Sequence, residues 1–388
     1  MKIALISRRY PPLIGGAEKV FSYLARALAA EGADVTALTA RPLDRETPET
    51  EAWTPAKGEG RLRVVRLGTS PIRFVGTLIY MRNLRRWLTA NPVDLAYVSM
   101  LKHDAYVAIG VGAKRGFPVV LRPEGAGATG DVAWQAWGRF GPTIAKRCKR
   151  AEAIVSIAPA ITEELKKAGY DPSRIHALAN GVPVPAQPWK RRNAWREAPR
   201  AVFVGRLAKE KGLDVLLEAW PMVLGLFPRA RLTLIGEGPE RPALEAQVAR
   251  LGLNGAVEMP GALDDPSSAL RDSDLFVLPS REEGMSIALL EALAIGVPTV
   301  ATSIPGNRRL IQDYQHARLF PPDDSERLAR VILDQWTNFD RAFQMTRAAR
   351  RRVQEDYSIE AMAKRHMELF RKLIDDKQET SSQPPAPC

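Results

Sequence analysis

Lys2-Ile3-Ala4-Leu5-Ile6-Ser7 opens the chain, Pro11-Pro12 and Gly15-Gly16 follow, and then Val20, Phe21, Leu24, Ala27 and Leu28 recur at helical spacing. An aliphatic run, a glycine-rich loop and a 3.6-residue period read as strand, loop and helix. The same alternation continues outward from there. Short apolar runs at 35–38, 62–67, 95–99, 119–121 and 154–157 predict further strands, and strands alternating with helices imply a parallel α/β sheet. Pro183, Pro185, Pro188 and Pro199, with Lys190-Arg191-Arg192 among them, break the periodicity, so a linker is expected at 186–199. A second alternation starts beyond it, with strands at 201–204, 232–235, 257–259, 275–278 and 299–301 and helices around 213–226, 242–251 and 287–295. Two Rossmann-like parallel-sheet domains, 1–185 and 200–358, are therefore expected, with their strand ends facing one another across a central cleft suited to a small ligand. A last periodic helix follows from Ile359, and the Gln-, Ser- and Pro-containing stretch 377–388 is expected to be disordered.

At 388 residues the chain is long for one core and suits two domains of roughly 150–200 residues. Its 45% apolar, 26% charged and 7% aromatic usage excludes disordered, collagenous and disulfide-scaffold classes. Cys148 and Cys388 are too few for a disulfide framework and lack C-x-x-C spacing, which fits a reducing compartment. Arg8 and Arg9 cut the first apolar run short of a signal-peptide core, and no uncharged apolar stretch approaches ~18 residues. The expectation is a cytoplasmic protein.

The net charge of +12 sits entirely in the first half: residues 1–190 hold 28 Lys and Arg against 16 Asp and Glu, whereas 191–388 hold 28 of each. It is densest from Lys57 to Arg86, where Arg61, Arg63, Arg66, Arg73, Arg82 and Arg85 also fall and Glu59 is the one acid. Within 71–88, Phe74, Val75, Leu78, Ile79, Met81 and Leu84 recur near helical spacing among the arginines, with Trp87 at the end. Such a helix suits the interface of an anionic membrane, at the inner face of the cytoplasmic membrane; the same period also suits packing on the domain's own sheet.

Three constellations point to chemistry. Gly15-Gly16 stands between strand and helix, where unpaired N–H groups and the helix dipole favour an anion; a tight structural turn would use the same glycines. Neither G-x-G-x-x-G nor a P-loop signature is present, which argues against a dinucleotide dehydrogenase and a P-loop enzyme. Gly205-Arg206-Leu207 followed by Lys211-Gly212 places two cations five residues apart at a strand end, an arrangement suited to a diphosphate or to solvent. Finally, in Glu283-Gly284-Met285-Ser286-Ile287-Ala288-Leu289-Leu290-Glu291, the acid Glu291 falls inside an apolar run, where burial would demand a partner. Glu283 would stand roughly 10 Å from it, about the span from a nucleotide's ribose to its sugar, and a carboxylate accepts two hydroxyl hydrogen bonds.

These residues, with Asn180-Gly181-Val182, Gly236-Glu237-Gly238-Pro239 and Ala294-Ile295-Gly296-Val297-Pro298, resemble the retaining glycosyltransferases of family GT4, with the GT-B fold, over residues 1 to about 370. The resemblance implies an α/β chain whose second domain holds a nucleoside-diphosphate sugar and whose first holds a sugar, glycolipid or polysaccharide acceptor, with the helix 359–375 packing back on the first domain. It implies that Arg206 and Lys211 contact the donor diphosphate, Glu291 the ribose and Glu283 the donor sugar, beside Gly284, Met285 and Ser286, with Gly15 and Gly16 on the opposite wall. Glu283, Arg206 and Lys211 would carry catalysis. No metal and no cofactor beyond the donor is implied.

Two departures stand out. Relatives carry a histidine in V-V-x-T-x-H where this chain has Val119-Val120-Leu121-Arg122-Pro123-Glu124, and G-x-x-E where it has Gly306-Asn307-Arg308-Arg309. Arg122, Glu124 and His103 are the acceptor-side candidates, and 125–131 could form an acceptor loop. Asp272-Ser273-Asp274 has the letters of a metal-binding D-x-D but reads better as a helix end; His176, His316 and His366 lack ligand spacing. A sugar-nucleotide epimerase on the same fold, or a basic nucleic-acid or membrane-binding protein, are the rival readings. No aromatic-basic module supports a nucleic-acid partner.

Overall fold

The computed structural model describes residues 1–13, 15–44, 46–55, 60–128, 130–191 and 197–382, apart from the side chains of Arg73 and 380–382. The chain divides into two compact units, one formed by 1–181 with 359–388 and the other by 182–358.

The first unit holds an eight-stranded sheet of β1 (Lys2–Ile6), β2 (Asp34–Ala40), β3 (Thr50–Trp53), β4 (Arg61–Leu67), β5 (Leu95–Ser99), β6 (Val119–Arg122), β7 (Ala153–Ser156) and β8 (Ile175–Ala177). The spatial order is β3-β4-β2-β1-β5-β6-β7-β8, parallel except for β3, which runs antiparallel to β4. The central strands are apolar because helices cover both faces; Ile3 to Ile6 and the whole of β5 are buried. The chain builds outward on one side of β1 and then crosses to β5 on the other. The loops leaving β1 and β5 therefore diverge, and their carboxyl ends form a topological switch point.

The helix Ile359–Ser382 belongs to this first unit. His366 and Phe370 reach the β5 residue Tyr97, whose hydroxyl lies 3.1 Å from His366 Nε2. Residues 377–382, expected to be disordered, continue this helix: Lys377 Nζ pairs with Glu152 Oε1 at 2.7 Å, and Lys, Gln and Glu are good helix formers. Residues 383–388 of the expected tail lie outside the described residues.

The second unit holds β9 (Arg200–Val204), β10 (Arg231–Ile235), β11 (Val257–Gly261), β12 (Leu275–Leu278), β13 (Thr299–Thr302) and β14 (Arg318–Phe320), in the order β11-β10-β9-β12-β13-β14 and parallel throughout. Its switch point lies between β9 and β12. The expected linker 186–199 is not a free tether where it is described. Trp189 is buried, its N–H donates to Ile295 O and its indole donates to Ser273 O at 2.8 Å, so this segment packs on the second unit. Residues 192–196 of it lie outside the described residues.

Three strands have no counterpart in the sequence reading. β8 and β14 have three residues each, too few to show a period, and β3 is a mostly exposed edge strand with no apolar alternation.

Candidate functional site

The loop leaving β9 ends at Gly212, before the helix Leu213–Leu226. Gly212 has φ +63°, and a Cβ there would stand 2.2 Å from the Pro279 carbonyl oxygen. Only glycine lets this loop close on the one leaving β12. The closure joins two predicted residues 72 positions apart: Lys211 Nζ donates to Glu283 Oε1 at 2.8 Å, and Ser280 Oγ donates to the same oxygen at 2.7 Å. The Glu283 side chain is 8% exposed and that of Lys211 20%, so the pair is screened far less than a surface ion pair.

Arg281 locks the two loops. Its Nη1 and Nη2 donate to the two carboxylate oxygens of Asp214 at 2.9 and 2.7 Å, its Nε donates to Asp323 Oδ1 at 2.6 Å, and its backbone N–H donates to Glu210 O. The guanidinium is held above its ordinary pKa, first by hydrogen bonding to Asp214. Burial pushes Asp214 up, but the hydrogen bonds and charge of Arg281 outweigh it and leave its pKa below the usual value. Beneath this layer, Thr302 Oγ1 at the end of β13 donates to Ser280 O at 2.5 Å, and Asn307 Nδ2 donates to Thr302 O at 3.0 Å. Gly306 lies so near the Glu283 carbonyl oxygen that a Cβ would come within 2.1 Å of it. Asn307, two positions before Arg309, which stands where the G-x-x-E pattern has its acid, is thus a buried support of the strand end.

The other second-unit candidates fall around this centre. Arg206 is 65% exposed and pairs with Glu210 at 2.7 Å; the bond lowers the Glu210 pKa. Gly284 has open space where a Cβ would stand, Met285 is half-buried, and Ser286 caps the helix Ile287–Ile295 by accepting from Leu289 N at 3.3 Å. Glu291 is half-buried, not enclosed as its apolar neighbours suggest: Ile287, Ala288 and Glu291 share the helix face that is only partly covered. Asp274 Oδ2 accepts from Arg200 N at 2.9 Å, a cap on β9. Among the described residues no group of three or more His, Cys, Asp or Glu has the arrangement of a metal site.

In the first unit, Gly15 precedes the helix Gly16–Ala30, whose amino end already faces an anion. Glu18 folds back so closely that its Oε2 would be 2.1 Å from a Gly15 Cβ, and it pairs with Arg9 Nε at 2.9 Å. Around the β1/β5 switch point, Arg122 is buried, with Nη1 donating to Glu124 Oε1 and Nη2 to Asn180 Oδ1 at 2.7 Å, and its guanidinium lies over Phe21. Glu124 also accepts from Ser99 Oγ at 2.6 Å; burial raises its pKa, against the pull of Arg122. Arg122 therefore braces Glu124 from within. His103 is half-buried at the start of the helix His103–Arg115, edge-on to Trp134, its pKa lowered first by burial and then by Arg8 and Lys102. In the loop 125–131, Asp131 is buried and its carboxylate accepts from Leu101 N and Glu124 N, while Thr129 lies outside the described residues.

Ser280, Arg281, Asp214, Asp323 and Thr302 escaped the sequence reading. Arg281, Asp214, Asp323 and Thr302 meet partners distant along the chain, and no period or spacing links Arg281 to Asp214 or Asp323. Ser280 reaches Glu283 only three residues on, but a serine near an acid is no distinctive local signal.

Residues 198–338 match the family Glycosyl transferases group 1, and residues 15–181 match the Glycosyl transferase 4-like domain. The glycogen synthase of Mycobacterium tuberculosis is 25% identical over 413 aligned positions, covering 100% of this chain and 98% of that protein. The lipopolysaccharide core biosynthesis glycosyltransferase LpsE of Rhizobium meliloti is 27% identical over 322, covering 82% and 84%. Among solved structures, a sucrose-phosphate synthase from Thermosynechococcus elongatus superimposes with a TM-score of 0.79 at 21% identity, covering 97% of this chain and 99% of that one. HepE of Anabaena, solved in complex with UDP-glucose, gives 0.74 at 16%, covering 96% and 100%. With two parallel-sheet units matched in order by these two family domains, the chain belongs to the group 1 glycosyltransferases of the GT-B fold.

Proposed function

We propose that the protein is a retaining, metal-independent GT4 transferase that moves a sugar from a nucleoside diphosphate to an acceptor hydroxyl in cell-envelope polysaccharide or glycolipid synthesis, in the cytoplasm at the inner face of the membrane. The observation that carries the reading is the Lys211–Glu283 pair at the β9/β12 switch point, where open α/β sheets bind ligands. Lys211 and Arg206 offer charge to a diphosphate, the amino end of the helix Ile287–Ile295 adds backbone N–H groups, and Glu283 and Glu291 accept from sugar and ribose hydroxyls. In the transfer, the anomeric carbon–phosphate oxygen bond breaks as the acceptor oxygen bonds to the same face. The departing phosphate oxygen takes the acceptor's proton, while Lys211 and Arg206 stabilise the growing negative charge. No protein nucleophile is needed.

Sugar chemistry among the relatives supports this direction: LpsE is named for lipopolysaccharide core synthesis, and HepE was solved with UDP-glucose. The test is a transfer assay with a panel of nucleoside-diphosphate sugars, the product linkage read by NMR. Retained anomeric configuration, unchanged by chelator, is expected. Inversion, or loss of activity in EDTA restored by Mg²⁺ or Mn²⁺, would overturn the corresponding part. Conversion of the nucleotide sugar without any acceptor would favour an epimerase.

A further inference from the structure

The first unit carries an apolar surface that neither its core nor the candidate site uses. The helix Arg73–Ala90 divides its apolar residues between two faces: Tyr80, Leu84 and Leu88 are fully buried, as packing on the domain requires, whereas Phe74, Val75, Leu78 and Ile79, with Ile72 just before them, are 37–65% exposed. Trp137, which ends the helix Asp131–Trp137, is 70% exposed and Phe140 57%. Arg139 joins the two sets, its guanidinium 4.5 Å from the Phe74 ring centre and 5.4 Å from that of Phe140. Contiguous apolar surface of this kind on a folded unit marks a place that something covers.

Charge identifies the occupant. The two segments that build the patch, 72–93 and 131–151, hold Arg73, Arg82, Arg85, Arg86, Arg139, Lys146, Arg147, Lys149 and Arg150 and one acid, Asp131, which is buried. Arg82, Arg85, Arg86, Arg139, Lys146, Lys149 and Arg150 are exposed. A second copy meeting this face across a two-fold axis would set cations against cations with no exposed acid of these segments to pair them. A nucleic acid has no use for exposed aliphatic side chains. An anionic lipid leaflet meets both demands at once: acyl chains and the interfacial zone take aliphatic, Phe and Trp side chains, while headgroup phosphates take Arg and Lys.

We propose that this surface docks the protein on an anionic bilayer, with Phe74, Leu78, Trp137 and Phe140 in the interface and the flanking cations on the headgroups. This deepens the reading under Proposed function by naming the surface. The helix Arg73–Ala90 follows the carboxyl end of β4, and the helix Asp131–Trp137 that of β6, so the patch lies on the side of the first sheet where the β1/β5 switch point opens. Trp134 connects them, 6.4 Å from the Trp137 ring, 5.5 Å from the His103 ring and 5.4 Å from Lys102 Nζ. Docking holds that end of the sheet against the lipid, which makes a lipid-linked sugar the acceptor class; this last step, unlike docking, rests on the transferase reading.

The test is co-sedimentation of the full chain with vesicles of phosphatidylglycerol and phosphatidylcholine, against pure phosphatidylcholine. Binding to the anionic vesicles alone, reduced by salt, is expected. Trp137→Ser with Leu78→Ser should lower it about tenfold or more, and so should Arg82→Glu with Arg85→Glu. Both pairs should keep the wild-type melting temperature, because the mutated side chains are exposed. Equal recovery in the supernatant with both vesicles would overturn the proposal, as would binding that both pairs of substitutions leave intact, or a dimer in solution that dissociates with Trp137→Ser while vesicles bind nothing. None of these outcomes touches nucleotide-sugar binding by the second unit, so the docking surface and the transferase reading fail independently.

Discussion

Lys211 and Glu283 offer the sharpest contrasts between variants. On the proposed mechanism, Lys211→Ala removes a cation whose value rises as negative charge develops on the leaving diphosphate. The expected loss in kcat/KM is ~2–4 kcal/mol, or about 30- to 1000-fold. Arg206→Ala should also slow transfer, yet leave the melting temperature unchanged, since its exposed pair with Glu210 is worth only ~0–1 kcal/mol. Wild-type rates in both variants would remove these cations from the chemistry. The two acids should fail differently: Glu283→Ala mainly in kcat, Glu291→Ala mainly in donor KM, a split that steady-state kinetics reads directly.

At the scale of elements, the site depends on two loops being held in register, and Arg281 does the holding. Arg281→Ala leaves Asp214 and Asp323 without their shared cation and is expected to lower stability by ~1–2 kcal/mol and activity with it. Arg281→Lys, unable to make the bidentate contact, should restore little of either in paired melting and kinetic measurements. The fold was legible because strands such as β1 and β5 are short apolar runs followed by helices with a clear period. Lys211 and Glu283 were legible because each sits in a distinctive local string. Arg281–Asp214 was not, since a tertiary tie between residues 67 apart leaves no local trace. Glu291 shows the opposite failure: its apolar neighbours suggested enclosure, but which helix face is covered is decided by packing beyond the helix. Trp189 did the same to the linker, since proline content signals a break in periodicity and says nothing of one indole finding a pocket.

The core of the first unit carries a pH signature for the whole molecule. Burial drives His366 down to about 4, with Nδ1 against Met362 O and Nε2 against the Tyr97 hydroxyl. Because the folded value lies below the unfolded one near 6.5, the unfolded chain binds the extra proton between the two. His366 therefore contributes fully above about 6.5, and its contribution falls by as much as ~3 kcal/mol as the pH drops toward 4. Asp104 works in the opposite sense: burial lifts it to about 6 from 3.8, so its contribution is present below 3.8 and lost as pH rises through 6. The two slopes oppose each other in wild type. In melting curves across this range, His366→Leu should remove the part of the gain in stability between about pH 4 and 6.5 that His366 supplies, so stability rises less with pH than in wild type; an unchanged pH profile would contradict the assignment.

The claim that the second unit binds a nucleoside-diphosphate sugar is most directly tested by thermal shift of the intact protein with a panel of nucleoside diphosphates and their sugars, in wild type and Lys211→Ala. A ligand at a hundred times its Kd stabilises the native state by ~2.7 kcal/mol. At least one ligand should therefore raise the wild-type melting temperature by several degrees and that of Lys211→Ala by much less; no shift with any of them, or the same shift in both proteins, would contradict the site described.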